Sequence, residues 1–300
     1  MNNETWWGRS PLRTQSAAFW QIGPLDLLVE RNESDWIVSH RHVARLPAQS
    51  SSFQRRSLGS LSEALSIRSG PQPSTSTSPF FSARWVSHSF LSQSPHEDLM
   101  FSPIMPDQPF ALHFREPICL EPNEKMTLNV RLPMQIQIDV TRPDSAPRNL
   151  IDVSLEPLSK TWYGPSPLQG QLALCTFDGP SLQPSRATVL PSFNNLQPRL
   201  DQAGAQVLIK NVSTSSTRLE RLLIPCGRLS LFHSSLTGFW TDTVVVEIRE
   251  NAYESAETER TLPREAGQAQ FVAHPHQQSA KSRTIESGFN TIAGLFRERG

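Results

Sequence analysis

The sequence predicts a mainly β protein: one or two packed antiparallel β-sandwich domains with a Ser/Pro-rich insert and a short C-terminal amphipathic helix. Three observations carry this expectation. Apolar residues recur with a period of two in successive short stretches, the pattern of half-buried strands. The 25 prolines fall largely between those stretches, where each removes an N–H and ends any preceding helical turn. The one sustained three-and-four apolar spacing lies at the C-terminus.

Taken in order, residues 1–18 form a flexible lead, and 19–44 form a β-hairpin that packs on the core. In that hairpin Leu25, Leu27 and Val29 alternate with Asp26, Leu28 and Glu30. "NESD" turns the chain, and Trp36, Val38, His40 and His42 line one face of the return strand. Segment 45–82 is rich in Ser, Pro, Gln and Arg, cannot bury enough apolar surface to offset its ordering entropy, and is expected to be disordered. Leu58, Leu61, Ala64 and Leu65 within it have helical spacing, enough for a marginal helix. Residues 83–250 form the β-sandwich core. Met126 to Leu132 and Met134 to Val140 alternate cleanly, as do Ile151, Val153 and Leu155. Val207–Val212 and Leu219–Ile224, separated by "STSST", are expected to pair as a hairpin. Val244, Val246 and Ile248 close the series. Residues 251–283 form a polar tether and 284–300 the amphipathic helix.

In "KTWYGPSPLQGQLALCTF" the strand from Leu172 to Phe177 is apolar on both sides, so it belongs inside a sheet covered on both faces. The preceding aromatics, Gly164 and prolines make its corner. Trp162 and Tyr163 offer large apolar area with a polar handle each, suited to plugging the sheet end or to stacking on a sugar or base.

Lys plus Arg and Asp plus Glu balance at 28 each, so no global field draws the chain to nucleic acid or to an acidic membrane surface. Cys119, Cys175 and Cys226 are far apart, odd in number and without C-x-x-C spacing, which suggests neither a zinc cage nor a disulfide framework and makes buried thiols the default. No secretory leader opens the chain and no run reaches the roughly 18 apolar residues of a membrane span, so a cytoplasmic protein is expected.

The stretches "TWYGPS", "RATVLP" from Arg186, "LERLLIP" from Leu219, "LSLF" from Leu229 and "FWTD" from Phe239 occur together in this order. With "IGPLDLLVERNESDWIV", "MPDQPF" and "PNEKMTLNV" they resemble the uncharacterised prokaryotic family known as domain of unknown function 432. The resemblance covers roughly residues 19–44 and 83–250 and leaves out the Ser/Pro-rich insert. It implies a β-rich fold and no established activity. Because some relatives are encoded near mechanosensitive channels, it also points to a membrane-protein partner.

Motifs that carry chemistry are sparse. His40 and His42 sit on one strand face about 7 Å apart, a spacing used by some metal sites. Only His113 and Glu116 of "HFRE" are available to complete a ligand set, so ordinary histidines are expected and no metal or cofactor is assigned. No G-x-S-x-G elbow, G-x-G-x-x-G loop or P-loop lysine occurs, and no catalytic residue is named. Strand carboxylates such as Asp139, Asp152, Asp242 and Glu247 keep a glycosidase-like pair open. Arg186 and Asp242, both inside the family-like motifs, are equally suited to a buried pair that fixes sheet packing.

In "RTIESGFNTIAGLFRERG" Ile285, Phe289, Ile292, Leu295 and Phe296 recur at steps of three and four. Gly288 and Gly294 weaken that helix, so it forms only when docked on its own core, on a partner groove or, third, on a membrane surface as a peripheral contact. The favoured reading is a non-enzymatic interaction module that engages a protein partner, not nucleic acid, through this helix. The alternative is a ligand- or carbohydrate-binding or hydrolytic β domain with a pocket near Trp162, Tyr163, Arg186, Trp240 and Asp242.

Overall fold

The computed structural model describes residues 5–43, 53–70, 84–143, 145–163, 171–175, 199–249, 252–259 and 261–276. The chain is mainly β. Its strands are β1 (Gly8–Ser10), β2 (Ser16–Ile22), β3 (Leu25–Arg31), β4 (Asp35–His42), β5 (Phe53–Leu58), β6 (Val86–Leu91), β7 (Asp98–Ile104), β8 (Phe110–Leu120), β9 (Lys125–Pro133) and β10 (Gln135–Arg142). There follow β11 (Ser145–Ser154), β12 (Ser159–Tyr163), β13 (Gln171–Cys175), β14 (Gln202–Asn211), β15 (Thr217–Ile224), β16 (Leu231–Ser234), β17 (Gly238–Thr241), β18 (Thr243–Arg249), β19 (Ala252–Glu259) and β20 (Gln270–Ala273). One α-helix, α1 (Leu61–Ser69), is described.

Four sheets share one continuous apolar core. The N-terminal sheet is antiparallel throughout, in the order β5-β2-β3-β4-β6. The β3–β4 hairpin forms as its alternation predicts, with Leu27 opposite His40 and Val29 opposite Val38. Every residue of β3 is buried, however, including Asp26 and Glu30. The cover on its second face comes from segment 45–82, which was expected to be disordered and instead supplies β5 and α1. Ala17, Leu28, Leu58 and Ala64 form a small core between strand and helix, and Arg68 reaches Glu30 at 3.2 Å. A nine-residue helix is unstable alone; docking supplies what the segment's composition does not. Burial, set against the nearby Arg68, leaves the Glu30 carboxyl above its usual range.

Residues 5–15, expected to be a flexible lead, also carry structure. β1 adds to the sheet β1-β7-β10-β11, and Trp6 and Leu12 are buried in the main core. Likewise β19 and β20 fall within the expected polar tether and extend a seven-stranded sheet, β19-β18-β14-β17-β16-β20, in which β9 covers the other edge of β14. β13 lies inside the fourth sheet, β12-β13-β8-β15, as its apolar character requires.

Val207–Val212 and Leu219–Ile224 do not form the expected hairpin. β14 pairs with β9, and β15 pairs with β8 in a different sheet. The chain therefore crosses between sheets twice side by side, once from β8 to β9 and once from β14 to β15. Asn211 ties the crossings together. Its Nδ2 donates to the carbonyls of Leu120, Glu121 and Ser215 at 2.9, 3.2 and 2.9 Å, and its Oδ1 accepts from Ser213 N and Oγ at 3.1 and 2.6 Å. Its own backbone N–H and carbonyl bond Glu124 O and Asn123 N. A hairpin turn would need those groups for itself.

A second junction joins the N-terminal sheet to the 92–98 segment. Arg31 donates to the carbonyls of Leu12 and Glu97, both at 2.7 Å, and to that of Pro95, with its guanidinium 4.8 Å from the Trp36 ring centre. Glu97 is fully buried and accepts from Trp36 Nε1 at 2.9 Å, Ser92 Oγ at 3.0 Å and Gln93 N at 3.2 Å. Gly227 permits a similar closeness elsewhere: a Cβ there would lie 2.6 Å from the Asp107 carbonyl oxygen, so the "MPDQPF" turn rests directly on the turn at Cys226–Arg228.

Candidate functional site

The residues singled out from sequence are dispersed. Trp240, on β17, lies over Gly204 of β14, where a Cβ would come within 2.9 Å of the indole. Its Nε1 donates to Thr237 Oγ1 at 2.8 Å and its ring packs on Ala266. Asp242 sits between β17 and β18, where the register with β14 advances by one residue, a bulge in a parallel pairing. Its carboxylate accepts the Ser230 N–H at 2.7 Å. In "FWTD", then, the Trp and the Asp hold one long bulged strand in place. Trp162 and Tyr163 end β12, in the other sheet; their side chains, Arg186 and the tail residues Ile285, Phe289, Ile292, Leu295 and Phe296 lie outside the described residues.

His40 and His42 gather with His88 of β6, with ring centres 6.3 Å (His42) and 5.9 Å (His88) from His40. Burial, reinforced by its two histidine neighbours, pulls the His40 pKa down to about 4, and burial lowers His42, which bonds the Ser154 carbonyl at 2.8 Å. Burial thus disfavours the charged form of both His40 and His42. His113 lies on β8, opposite Arg221 of β15, in another sheet. Among the described residues no group of three or more His, Cys, Asp or Glu is arranged to hold a metal ion, and no helix is long and apolar enough to cross a membrane. Burial pushes the Cys226 thiol up to about 12, so it is inert at neutral pH, whereas Cys119, contrary to the expectation of buried thiols, is exposed.

A site missed by the sequence reading lies between the N-terminal segment and the β16–β17 hairpin. It is a cavity of about 200 Å³ walled chiefly by Trp6, Trp7, Phe53, His233 and Phe239, with Arg199 at its side. The rings meet edge-on or tilted: Trp7 is 4.8 Å from His233 and 5.0 Å from Phe239, His233 is 4.8 Å from Phe239, and Trp6 is 5.4 Å from Trp7. Such contacts are worth about 0.5–1.5 kcal/mol each beyond burial and hold the wall rings in fixed orientations. Three polar groups lack partners here. Trp6 Nε1 is buried without a hydrogen bond. Burial lowers the His233 pKa, and among the described residues the ring makes aromatic contacts and no hydrogen bond.

The third is on Arg199, which donates Nε and Nη2 to the two Asp201 oxygens at 3.0 and 2.7 Å, with Nη2 3.5 Å from Glu156 Oε1. Nη1 has no partner among the described residues. Asp201 and Glu156 are buried, and Gln202 Nε2 donates to Glu156 Oε1. Burial first, and the adjacent Asp201 second, push the Glu156 pKa up to about 8. Arg131 faces the same carboxylates.

A carboxyl whose folded pKa is about 8 and whose unfolded value is about 4.5 binds its proton more tightly when folded. Its contribution is fully present below about pH 4.5 and declines as pH rises to about 8. Glu156→Gln keeps an amide acceptor for Gln202 without an ionisable group. Denaturant melts of the variant are expected to lose this decline and to show higher stability than the wild type at pH 9; parallel pH profiles would contradict the assignment.

A family model described as "Protein of unknown function (DUF432)" matches residues 6–291. The match begins at Trp6 in the cavity wall and takes in segment 45–82. No curated protein and no solved structure matches the chain.

Proposed function

We propose a binding function for this chain, which belongs to the DUF432 family: a non-enzymatic β module whose recognition site is the aromatic cavity between residues 5–7 and the β16–β17 hairpin. The observation that carries it is the meeting of five rings around one small space with the Arg199 guanidinium at its side. Mostly apolar walls with a few polar groups are the composition of ligand sites. A recognition role is supported over hydrolysis because His233 touches rings, not a nucleophile, among the described residues. Asp201 and Glu156 are held by Arg199 and Gln202. Layering of the sheets as a sandwich and a cytoplasmic location belong to the same reading; the free thiols of Cys119 and Cys226 suit a reducing compartment. Engagement of a protein partner through residues 284–300 rests on their apolar spacing.

The test is a titration of the full chain with single-ring probes, benzyl alcohol, phenylacetate and phenethylamine, followed through the indole N–H resonances of Trp6 and Trp7. Saturable shifts with at least one probe, lost in Trp7→Ala, are expected. Trp7 is only partly buried, and far-UV circular dichroism of the variant checks that it keeps its fold. Absence of saturable shifts with all three would overturn the reading.

A further inference from the structure

We propose that the occupant of this cavity is a small aromatic carboxylic acid, its ring among Trp6, Trp7 and Phe239 and its carboxylate on Arg199 Nη1. The inference rests on the binding reading above and specifies the ligand class.

Size comes first. About 200 Å³ exceeds the roughly 150 Å³ that holds benzene in an apolar cavity and falls below the roughly 300–1,000 Å³ of drug-sized sites. One ring with a short substituent fills that volume.

Ring chemistry comes from the walls. The indoles of Trp6 and Trp7 and the Phe239 ring stand at 50–83° to one another, so a flat guest meets both ring faces and ring edges, the geometry aromatic pairs favour. An aliphatic guest would fill the volume and forgo those contacts.

Charge comes from the side. Aromatic faces alone would attract a cation, but the Arg199 guanidinium in the wall repels one. Asp201 occupies two of the three Arg199 nitrogens in a bidentate pair and leaves Nη1 outside it. The raised pKa of Glu156 favours its protonated form at neutral pH, which weakens its hold on Arg199 Nη2, 3.5 Å away. An anionic oxygen at Nη1 forms a charge-assisted hydrogen bond. The His233 ring can donate to the second oxygen. A neutral guest would leave the Arg199 and His233 donors without an anionic acceptor, and sites that present such donors discriminate strongly against guests that cannot accept from them.

Calorimetry on the unmodified full chain, with phenylacetate, phenylacetamide and phenethylamine at low salt, tests this without a variant. Phenylacetate is expected to bind at least about tenfold more tightly than the isosteric amide and the amine weakest of the three. Arg199→Lys keeps the charge but loses the fork that holds Asp201, and is expected to shrink the acid-to-amide ratio while the amide still binds. Equal binding of acid and amide would overturn the ligand class and leave the cavity a binding site. A preference for the amine would overturn it too, and binding by none of the three would overturn both readings together.

Discussion

Asn211→Ala is expected to destabilise the protein by about 3–4 kcal/mol. The side chain makes five hydrogen bonds in a buried setting. Truncation leaves the Leu120 carbonyl without its amide donor at the centre of the double crossing, and each buried group left unsatisfied costs about 1–3 kcal/mol. The losses are not additive, because two N–H groups serve three carbonyls. At about 2–4 °C per kcal/mol for a chain of this size, the thermal midpoint should fall by roughly 10 °C. Asn211→Asp separates hydrogen bonding from size. It is isosteric, yet it places a carboxylate oxygen against three carbonyls and should cost at least as much as Ala. Near-native stability of the Asp variant in denaturant melts would show that the amide donors contribute little.

Glu97→Ala is expected to cost as much or more, about 3–5 kcal/mol. The carboxylate is fully buried and holds the Trp36 indole, the Ser92 hydroxyl and the Gln93 amide, while Arg148 approaches to 3.8 Å. Its removal strands an indole N–H in the interior and loosens the segment whose carbonyls receive Arg31. Trp36→Phe removes the same bond from the other side and should cost less, about 1–2 kcal/mol. The double variant should be measurably less destabilised than the sum of the two singles, since neighbours in one network couple by about 0.5–3 kcal/mol. Strict additivity in urea melts would place the energetic role of Glu97 elsewhere.

The two junctions also mark the reach of sequence reading. β14 and β15 were each legible as strands from alternating Val207–Val212 and Leu219–Ile224, but "STSST" between them has the composition of a hairpin loop. Nothing local tells a turn from a crossing when the deciding contacts are carbonyls of residues 120 and 121, about ninety positions away. α1 was legible only as a weak spacing. What makes it a helix is the face of β3 it covers, where Leu28 and Glu30 await a partner. Trp240 and Asp242 stood out as a motif, and the motif proved to hold a bulged strand against Gly204 and Ser230. The cavity was hidden because its walls come from residues 5–7, 53, 199 and 233–239. The adjacent Trp6 and Trp7, in a lead otherwise short of large apolar groups, were the one available signal.

Alternation of side-chain polarity was enough to establish extended chain and the buried faces of β4, β9 and β10. These properties arise from each residue's own partition between water and an apolar interior. Strand partners, the burial of Asp26 and Glu30, the double crossing at Asn211 and the aromatic cavity were settled only in three dimensions. Pairing energy is shared among groups far apart along the chain, and one strand edge can satisfy another equally well until packing and buried hydrogen bonds select between them.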